Sequence, residues 1–167
     1  MKTYSIEEKE KIEEILNSEQ ICFVGFSDKN GIPYVLPMNY GYENDVIYLH
    51  SAPDGKALRI LDDNPNVCIT FCTQPKLIWQ HPDVACSYRM QSKSVICNGR
   101  VVFEEDLTEK ERVLNIIMRQ YIDRDFKYSK PAVSNVKIWK VEIESIAGKE
   151  FGVRHPNSAM FKNRSSF

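Results

Sequence analysis

Several features that define large protein classes are absent from this chain of 167 residues. No stretch reaches the roughly 18 apolar residues that a membrane-spanning helix needs, and the N-terminal segment lacks the apolar run of a signal peptide. Lys+Arg (22) and Asp+Glu (23) are nearly equal in number, which argues against the broad positive surface of a nucleic-acid-binding protein. We therefore expect a cytoplasmic protein of about one domain that binds neither membrane nor nucleic acid.

Two motifs that signal bound groups are also missing. The five cysteines are Cys22, Cys68, Cys72, Cys86 and Cys97. Because they are odd in number and never spaced C-x-x-C, we predict reduced thiols and no metal site. No Gly-rich dinucleotide fingerprint is present either, so the sequence contains no recognisable site for a nicotinamide donor.

The chain does contain a series of strand patterns joined by turn signals. The strand patterns occupy residues 21–26, 32–42, 45–50, 67–72, 94–106 and 135–149. An Asn-Gly turn between the first two predicts a β-hairpin, and Gly99 predicts a bulge. Capping-box patterns at residues 5–8 and 108–111, and a Pro-Asp-Gly turn before Lys56, predict three helices. The pattern favours a mainly β fold with flanking helices, in which about six antiparallel strands form a closed or partly closed barrel.

The chain is predicted to form a single domain over residues 1–151, followed by a basic tail over residues 152–167. Residues 73–93 contain two prolines and no clear period, and we interpret them as a long connection with room for a short strand. The tail carries Arg154, Lys162 and Arg164 and shows no periodicity. It either hangs free or lies over another subunit.

The segment YLHSAPDGKALRIL, residues 48–61, has the pattern of an anion site. A strand ends at His50 and Ser51, the chain turns, and a helix begins at Lys56. Free N–H groups at a helix N-terminus attract anions, and a lysine strengthens that attraction. Two simpler interpretations stay open, since a lysine in a first helical turn is usually a solvated charge and a histidine at a strand end is often structural.

Several spaced positions resemble a known family. The segment PYVLPMNYGYENDVIYLHSAPDGKALRILDDNPNVCIT, followed by SVICNGRVVF and IESIAGK, is similar to the pyridoxamine 5'-phosphate oxidase-like FMN-binding split-barrel family. It most closely resembles the nitroimidazole-resistance (nitroimidazole reductase-like) subgroup, from about residue 21 to residue 149. The resemblance implies an FMN-binding split β-barrel and a homodimer that holds FMN at the subunit interface.

The resemblance also implies candidate residues for the FMN groove. Lys56 would bind the phosphate, with hydroxyl donors from Ser92 and Ser94. His50 would be the catalytic residue and would lie along the cofactor. The other cofactor-binding candidates are Met38, Asn39, Tyr40, Ser51, Ala52 and Val95, together with Trp139 and Lys149, which would reach across the dimer. Simpler interpretations remain: Met38 and Trp139 need only a core, and Tyr88 and Arg89 either shape the pocket or lie in solvent.

Two functions from different classes follow from the resemblance. The leading one is an FMN-dependent oxidoreductase that reduces small acceptors such as nitroimidazoles or nitroaromatics. The alternative is a non-catalytic FMN- or haem-binding or sensor protein of the same fold. The chain lacks the Arg-rich strand motif and the C-terminal signature of true pyridoxamine phosphate oxidases, which argues against oxidation of vitamin B6.

Overall fold

In the part of the chain that the structure describes, nine β-strands form one curved antiparallel sheet, and four α-helices pack against it. The structure, a computed structural model, describes residues 3–153. The strands are β1 (Thr3–Ile6), β2 (Cys22–Ser27), β3 (Pro33–Met38), β4 (Tyr40–Glu43), β5 (Val46–Ser51), β6 (Asn66–Cys72), β7 (Lys76–Ile78), β8 (Arg89–Glu104) and β9 (Lys137–Phe151). The helices are α1 (Lys9–Ser18), α2 (Lys56–Asp63), α3 (Leu107–Arg119) and α4 (Lys130–Ser134), with a 3-10 turn at Ala85–Ser87.

The sheet has the order β3-β2-β6-β8-β9-β5-β4, with β1 beside β9 and β7 beside β8. The predicted mainly β class with flanking helices is therefore confirmed. The expected number of about six strands was too low. β1 and β7 are short and were not counted, and Asn39 divides the segment predicted as one strand, residues 32–42, into β3 and β4. The predicted basic tail beyond Val153 lies outside the described residues.

Both predicted capping boxes were wrong about where a helix begins. Ser5 pairs with Lys149 as part of β1, and α1 begins only at Lys9. At the second position, α3 begins at Leu107 because Asp106 is the N-cap, and its side chain accepts a hydrogen bond from the Glu109 N–H at 2.9 Å. At Ser5, pairing of the segment with β9 outweighs the local helix-start pattern.

The predicted hairpin and bulge are both confirmed. Gly31 has a φ of +79° in the turn between β2 and β3. The Asp28 carboxylate accepts hydrogen bonds there from the N–H groups of Asn30 and Ile32, both at 2.8 Å. Between β8 and β9 the register shifts at Asn98/Gly99, so that β9 has one extra residue. This bulge turns the two longest strands and curves the sheet.

Two apolar cores hold the fold together. The larger lies inside the curved sheet and under α1 and α2, and it includes the fully buried Tyr40, Phe71 and Trp139. The smaller lies between α3, α4 and the other face of β5 and β9, around Tyr48 and Ile138. β5 and the first part of β9, residues 137–141, are therefore covered on both faces. By contrast, Phe23 and Cys68 on the outer face of β2 and β6 are exposed, and no helix of residues 3–153 covers them.

Candidate functional site

The N-terminus of α2 has no side-chain cap. Gly55 occupies the N-cap with a φ of +153°, and the space where a Cβ would lie is empty. Asp54 accepts hydrogen bonds from the Gly55 N–H at 2.6 Å and from Arg59 at 3.2 Å, so it serves the turn and not the first helical N–H groups. Lys56 is the first helical residue and is exposed. Uncapped N–H groups beside a lysine form a positive site that an anion would neutralise.

A row of aromatic side chains leads from Lys56 into the barrel. In order, the row is Lys56, Tyr34, Phe26, Trp139, Phe103 and Lys137. Lys56 Nζ lies 4.3 Å from the centre of the Tyr34 ring, and Phe26 meets Trp139 edge to face at 6.0 Å. Phe26 and Trp139 are buried in the larger core, so Tyr34 and Phe103 are the partly accessible rings of this aromatic row, each next to a lysine.

His50 lies at the same end of the barrel, but on the other face of β5. Its register partner is Ile138, a member of the smaller core, whereas the neighbouring Leu49 pairs with Trp139 in the larger core. His50 Nδ1 is buried without a hydrogen-bond partner among the described residues, and burial lowers the pKa of the imidazole. Trp139 Nε1 is buried in the same unpaired state. Such orphaned polar atoms are rare and suit a partner from outside the chain.

Ser51 and Ala52 continue β5 toward the helix. Ser51 pairs with Lys137, and its hydroxyl donates to the Ala52 carbonyl at 2.8 Å. Ser51 is half-buried and Ala52 exposed. Ser51, Ala52 and Lys56 are thus all at least partly accessible, and their contact with a ligand stays a prediction.

The predicted run from Met38 to Tyr40 is only partly accessible. Met38 is half-buried at the end of β3, and Asn39 is exposed. The Tyr40 side chain is fully buried, its hydroxyl donates to the Leu16 carbonyl at 2.7 Å, and its backbone N–H donates to the Tyr121 hydroxyl at 3.1 Å. Tyr40 is therefore a core residue whose donors are already used, so Asn39 is the member of this run that is free to bind a ligand.

The remaining predicted residues form a separate group on β8 and β9. Ser94 pairs directly with Lys149, and Val95 pairs with Gly148. Val95 is fully buried, whereas Ser94 is half-buried and Lys149 is exposed. Ser92 is also buried, and its hydroxyl donates to the Thr73 carbonyl at 2.9 Å. Ser94 and Lys149 are thus the accessible members of this second group.

The two groups lie at opposite ends of β8. Trp139 of the first group pairs with Phe103, and Lys149 of the second pairs with Ser94. Phe103 and Ser94 are nine positions apart, which corresponds to roughly 30 Å along β8. Within one chain the structure brings together the candidates around Lys56, but not the whole predicted set. Contact of either group with FMN stays a prediction.

Sequence reasoning missed most of the aromatic row. Phe26 and Tyr34 are register partners across the Asn-Gly turn. That turn was recognised in the sequence, but counting from a two-residue Asn-Gly turn would have paired Phe26 with Val35, because the actual connection spans residues 28–32 and shifts the register by one. The partnership of Trp139 with Phe103 had no comparable signal, because it depends on the bulge between β8 and β9. Arg89, predicted to lie in a loop, begins β8, and its buried Nε has no partner among the described residues.

Residues 3–153 contain no cluster of three or more His, Cys, Asp or Glu side chains that could hold a metal ion. Within the same range, no helix is long and apolar enough to cross a membrane. Burial raises the pKa of the Cys22 and Cys97 thiols to about 12, while Cys68, Cys72 and Cys86 are exposed. The buried pair is therefore structural.

Comparison with known proteins agrees with this architecture. A family model described as pyridoxamine 5'-phosphate oxidase matches residues 8–150. A solved structure from Bacteroides thetaiotaomicron, described as a candidate 5-nitroimidazole antibiotic resistance protein, is 52% identical, with 89% of this chain and 87% of that chain covered and a TM-score of 0.82. No curated protein sequence matches significantly.

Two more distant structures support the fold alone. A flavocytochrome from Azotobacter vinelandii is 19% identical over 95% of this chain and 75% of that chain, with a TM-score of 0.75. A FAD-binding protein from Mesorhizobium loti is 21% identical over 90% of this chain and 99% of that chain, with a TM-score of 0.64.

The curved antiparallel sheet with helices on its ends and one flank is a split barrel. With the family model spanning most of its length, the chain belongs to the pyridoxamine 5'-phosphate oxidase family. The resemblance inferred from the H-S-A-x-x-G-K segment is thereby confirmed, including the similarity to a nitroimidazole-resistance protein.

Proposed function

We propose that the chain binds FMN in a groove shared by two copies and reduces small acceptors such as nitroimidazoles or other nitroaromatics. The observation that carries the proposal is the uncapped N-terminus of α2, where Lys56 begins the helix beside the empty space at Gly55. A lysine there is unfavourable for the helix dipole unless an anion is bound. The phosphate of FMN supplies that anion, and free backbone N–H groups supply its hydrogen bonds.

The surroundings of this proposed phosphate-binding site suit a flat, partly polar ring system. The half-buried Tyr34 ring, the first of the aromatic row, provides an apolar surface next to Lys56. His50 Nδ1 is a buried polar atom without a partner in the described residues, and the polar edge of a ring or its bound water would satisfy it. FMN binding would therefore remove one unfavourable feature of the free chain.

A homodimer would bring the two separated residue groups to one cofactor. In a symmetric pair, the Lys56 group of one copy can meet the Ser94 and Lys149 group of the other, which one chain keeps roughly 30 Å apart along β8. A shared groove would thus explain why the residues that match the family resemblance lie at both ends of β8.

The surface available for such a dimer is an apolar patch on the outer sheet face. Alternation along β8 places Met90 on the same face as Ser94 and Ile96, so the β7–β8 hairpin continues that face. Within this outer patch Phe23 is 46% and Val35 57% exposed. The outer patch consists of Phe23, Val35, Leu77, Trp79, Tyr88, Met90 and Ile96. Contiguous apolar surface of this kind marks an interaction site.

The chain's own residues would position and shield the reactants. When bound, FMN supplies the electron-transfer chemistry. The lowered pKa of His50 keeps its imidazole neutral at pH 7, so one ring nitrogen can donate a hydrogen bond to an acceptor while the other accepts one. The similarity to a candidate nitroimidazole-resistance protein favours a nitro compound as that acceptor.

A second candidate function is FMN or haem binding without turnover. The sequence contains no Gly-rich nicotinamide fingerprint. A protein that only stores or senses a cofactor needs no donor site. The two functions share the cofactor groove and differ only in what reacts there.

The proposed phosphate-binding site at Lys56 can be tested by comparing two flavins. Wild-type protein, Lys56→Ala and the matched control Lys29→Ala are titrated with FMN and with riboflavin, which lacks the phosphate. We expect Lys56→Ala to weaken FMN binding about ten- to hundredfold, the effect of one charge-assisted hydrogen bond, and to leave riboflavin binding unchanged. Lys29 is an exposed lysine in the β2–β3 turn, and its loss should change neither affinity. Equal FMN affinity in Lys56→Ala and wild type would overturn the proposed phosphate-binding site.

Turnover separates the two functions. FMN-loaded protein is mixed without oxygen with NADH or NADPH and a nitroimidazole, and loss of the nitro absorbance is followed. Reduction at a rate above that of free FMN supports the oxidoreductase. Retained FMN without turnover supports the binding protein, and a Soret band in protein supplied with haem points to haem.

A further inference from the structure

One edge of β9 lacks a partner strand in its middle. β5 pairs with this edge only as far as Glu142, and β1 pairs with it only from Gly148 onward. The last hydrogen bond before the gap runs from the Ile143 N–H to the Asp45 carbonyl at 3.1 Å. Within residues 3–153, residues 144–147 have no backbone partner on this edge, and all four are exposed. The gap therefore presents free backbone donors and acceptors.

The gap lines a cleft with a volume of about 580 Å³. Apolar side chains from three elements lie in it: Ile12 from α1, Ile6 from β1, and Ile143 and Ile146 from β9. Gly148 lets these elements close one end of the cleft, because a Cβ there would lie 2.9 Å from the Ile6 Cβ. The cleft is thus a built groove with an apolar lining and not a shallow depression.

Charge around the cleft is predominantly negative. The charged lining residues are Glu7, Lys9, Glu13, Asp45, Glu144 and Lys149. Lys9 is already engaged, since its Nζ lies 3.1 Å from Asp45 and 3.6 Å from Glu13. Of the other charged lining residues, Glu7 and Glu144 are acidic and Lys149 is basic. The rim therefore has a net negative charge that complements a positively charged occupant.

We propose that this cleft binds an extended peptide segment that adds to the free edge of β9 between β5 and β1 and places a basic side chain beside Glu7 and Glu144. The gap, residues 144–147, is about 13 Å long at 3.3 Å per residue, which accommodates about four residues of strand. An unpaired strand edge takes an extended peptide through main-chain hydrogen bonds, and side-chain pockets then select its sequence.

The surrounding strands fix the direction of the bound segment. β5 and β1 both run antiparallel to β9, so a segment that continues their line runs antiparallel as well. Alternate side chains would then point to the apolar lining and to the acidic rim. This peptide site goes beyond the proposed flavin function and does not rest on it, since Lys56 and His50 do not line the cleft. Lys149, a candidate for the flavin groove, does line it, but its charge takes no part in the proposed contact with the basic side chain of the peptide.

A basic, alternating pentapeptide is the direct probe. Acetyl-Val-Lys-Val-Lys-Val-amide is titrated into the full chain by calorimetry, and hydrogen–deuterium exchange is followed with and without the peptide. We expect saturable binding and at least threefold slower exchange in residues 143–147, without a change in the β2–β3 turn. An acetyl-Val-Lys-Pro-Lys-Val-amide control removes one main-chain donor and should bind at least tenfold more weakly.

Charge reversal on β9 tests the acidic rim. Glu144→Lys should weaken the pentapeptide about three- to tenfold, whereas Glu142→Lys, an exposed glutamate on the same strand that does not line the cleft, should bind like wild type. Both variants are first checked for an unchanged melting temperature, and Glu144→Gln replaces Glu144→Lys if that variant is unstable. Unchanged exchange in residues 143–147 at peptide concentrations up to the millimolar range, or equal weakening by both variants, would overturn the site. FMN binding by the same samples reports separately on the flavin function.

Discussion

At the scale of single residues, the environment of His50 has a consequence for stability. Burial lowers the pKa of its imidazole in the folded chain below the value of about 6.5 found in unfolded peptides. As the pH falls through that unfolded value, the unfolded chain binds the proton first, so the free energy of unfolding decreases. The stabilising contribution is complete above about pH 6.5 and is lost in acid.

We therefore predict that His50→Gln removes part of the acid sensitivity of the fold. The free energy of unfolding of wild-type protein should decrease more steeply between about pH 7 and pH 5 than that of the variant, as measured by urea denaturation. The exposed His81→Gln variant serves as a control and should follow wild type. Parallel curves for wild type and His50→Gln would contradict the burial argument.

The five cysteines should differ sharply in reactivity. The thiols of Cys22 and Cys97 have a pKa raised to about 12 by burial, so they carry almost no thiolate at neutral pH. In native protein, a thiol reagent followed by peptide mapping should modify the exposed Cys86 and leave both buried cysteines intact. Cys68 lies on the outer sheet face, paired with Gly25 and Asn98, so a dimer through the outer patch should slow its modification as protein concentration rises. Fast modification of Cys22 in folded protein would contradict this assignment.

At the scale of secondary-structure elements, the start of α3 gives a matched pair of variants. Asp106 caps the helix, whereas Thr108, the residue that fits the capping-box pattern, lies within its first turn. Asp106→Ala should lower the free energy of unfolding by about 1 kcal/mol, and Thr108→Ala should change it by no more than about 0.5 kcal/mol. Chemical denaturation distinguishes the two. A larger loss for Thr108→Ala would place the helix start where the sequence pattern put it.

The packing of α3 against β4 depends on Gly41. A Cβ at this position would lie 2.8 Å from the Ile117 backbone nitrogen, closer than atoms can approach without movement. Gly41→Ala should therefore destabilise the chain by about 1–3 kcal/mol, as overpacking does. Gly25→Ala is a milder control, since its nearest contact is the Cys68 carbonyl at 3.3 Å. Equal melting temperatures for Gly41→Ala and wild type would show that the helix moves away freely.

Local signals explain which elements could be predicted from sequence. The Asn-Gly turn and the Pro-Asp-Gly turn before Lys56 act over a few residues, and both predictions were correct. The segment at Ser5 matched a helix start equally well, but β1 is held by pairing with β9 more than 140 positions along the chain. Residues 89–93 look like loop because polar and apolar side chains mix there, and only their pairing with β7 and β9 makes them strand.

At the scale of the whole molecule, the candidate site was only partly predictable. The turn and the helix N-terminus at Lys56 are formed by residues that are adjacent in the sequence, so both could be predicted from the sequence. The division of the candidates into two groups depends on the register of β8 against β9, including the bulge at Gly99, and no local pattern encodes that register. The same register produces the continuous outer patch from which we propose the dimer.

The outer patch should control both assembly and cofactor binding. Phe23→Asp combined with Val35→Asp places charge on exposed apolar positions of the outer patch and should shift the protein to monomers in analytical ultracentrifugation. FMN affinity should fall with the dimer, by at least tenfold, because half of each groove is lost. The control is Ile122→Asp, an exposed apolar residue after α3 and outside the outer patch. Monomers that bind FMN at wild-type affinity would contradict a shared groove.

A mixing experiment tests the shared FMN groove most directly. Lys56→Ala and Lys149→Ala are each expected to bind FMN weakly, and the two proteins are then mixed under conditions that allow subunit exchange. If Lys56 of one copy and Lys149 of the other hold the same FMN, each mixed dimer contains one intact groove, and a fraction of sites recovers wild-type affinity in a fluorescence titration. A mixture whose titration is the simple sum of the two variants' curves would contradict the shared groove.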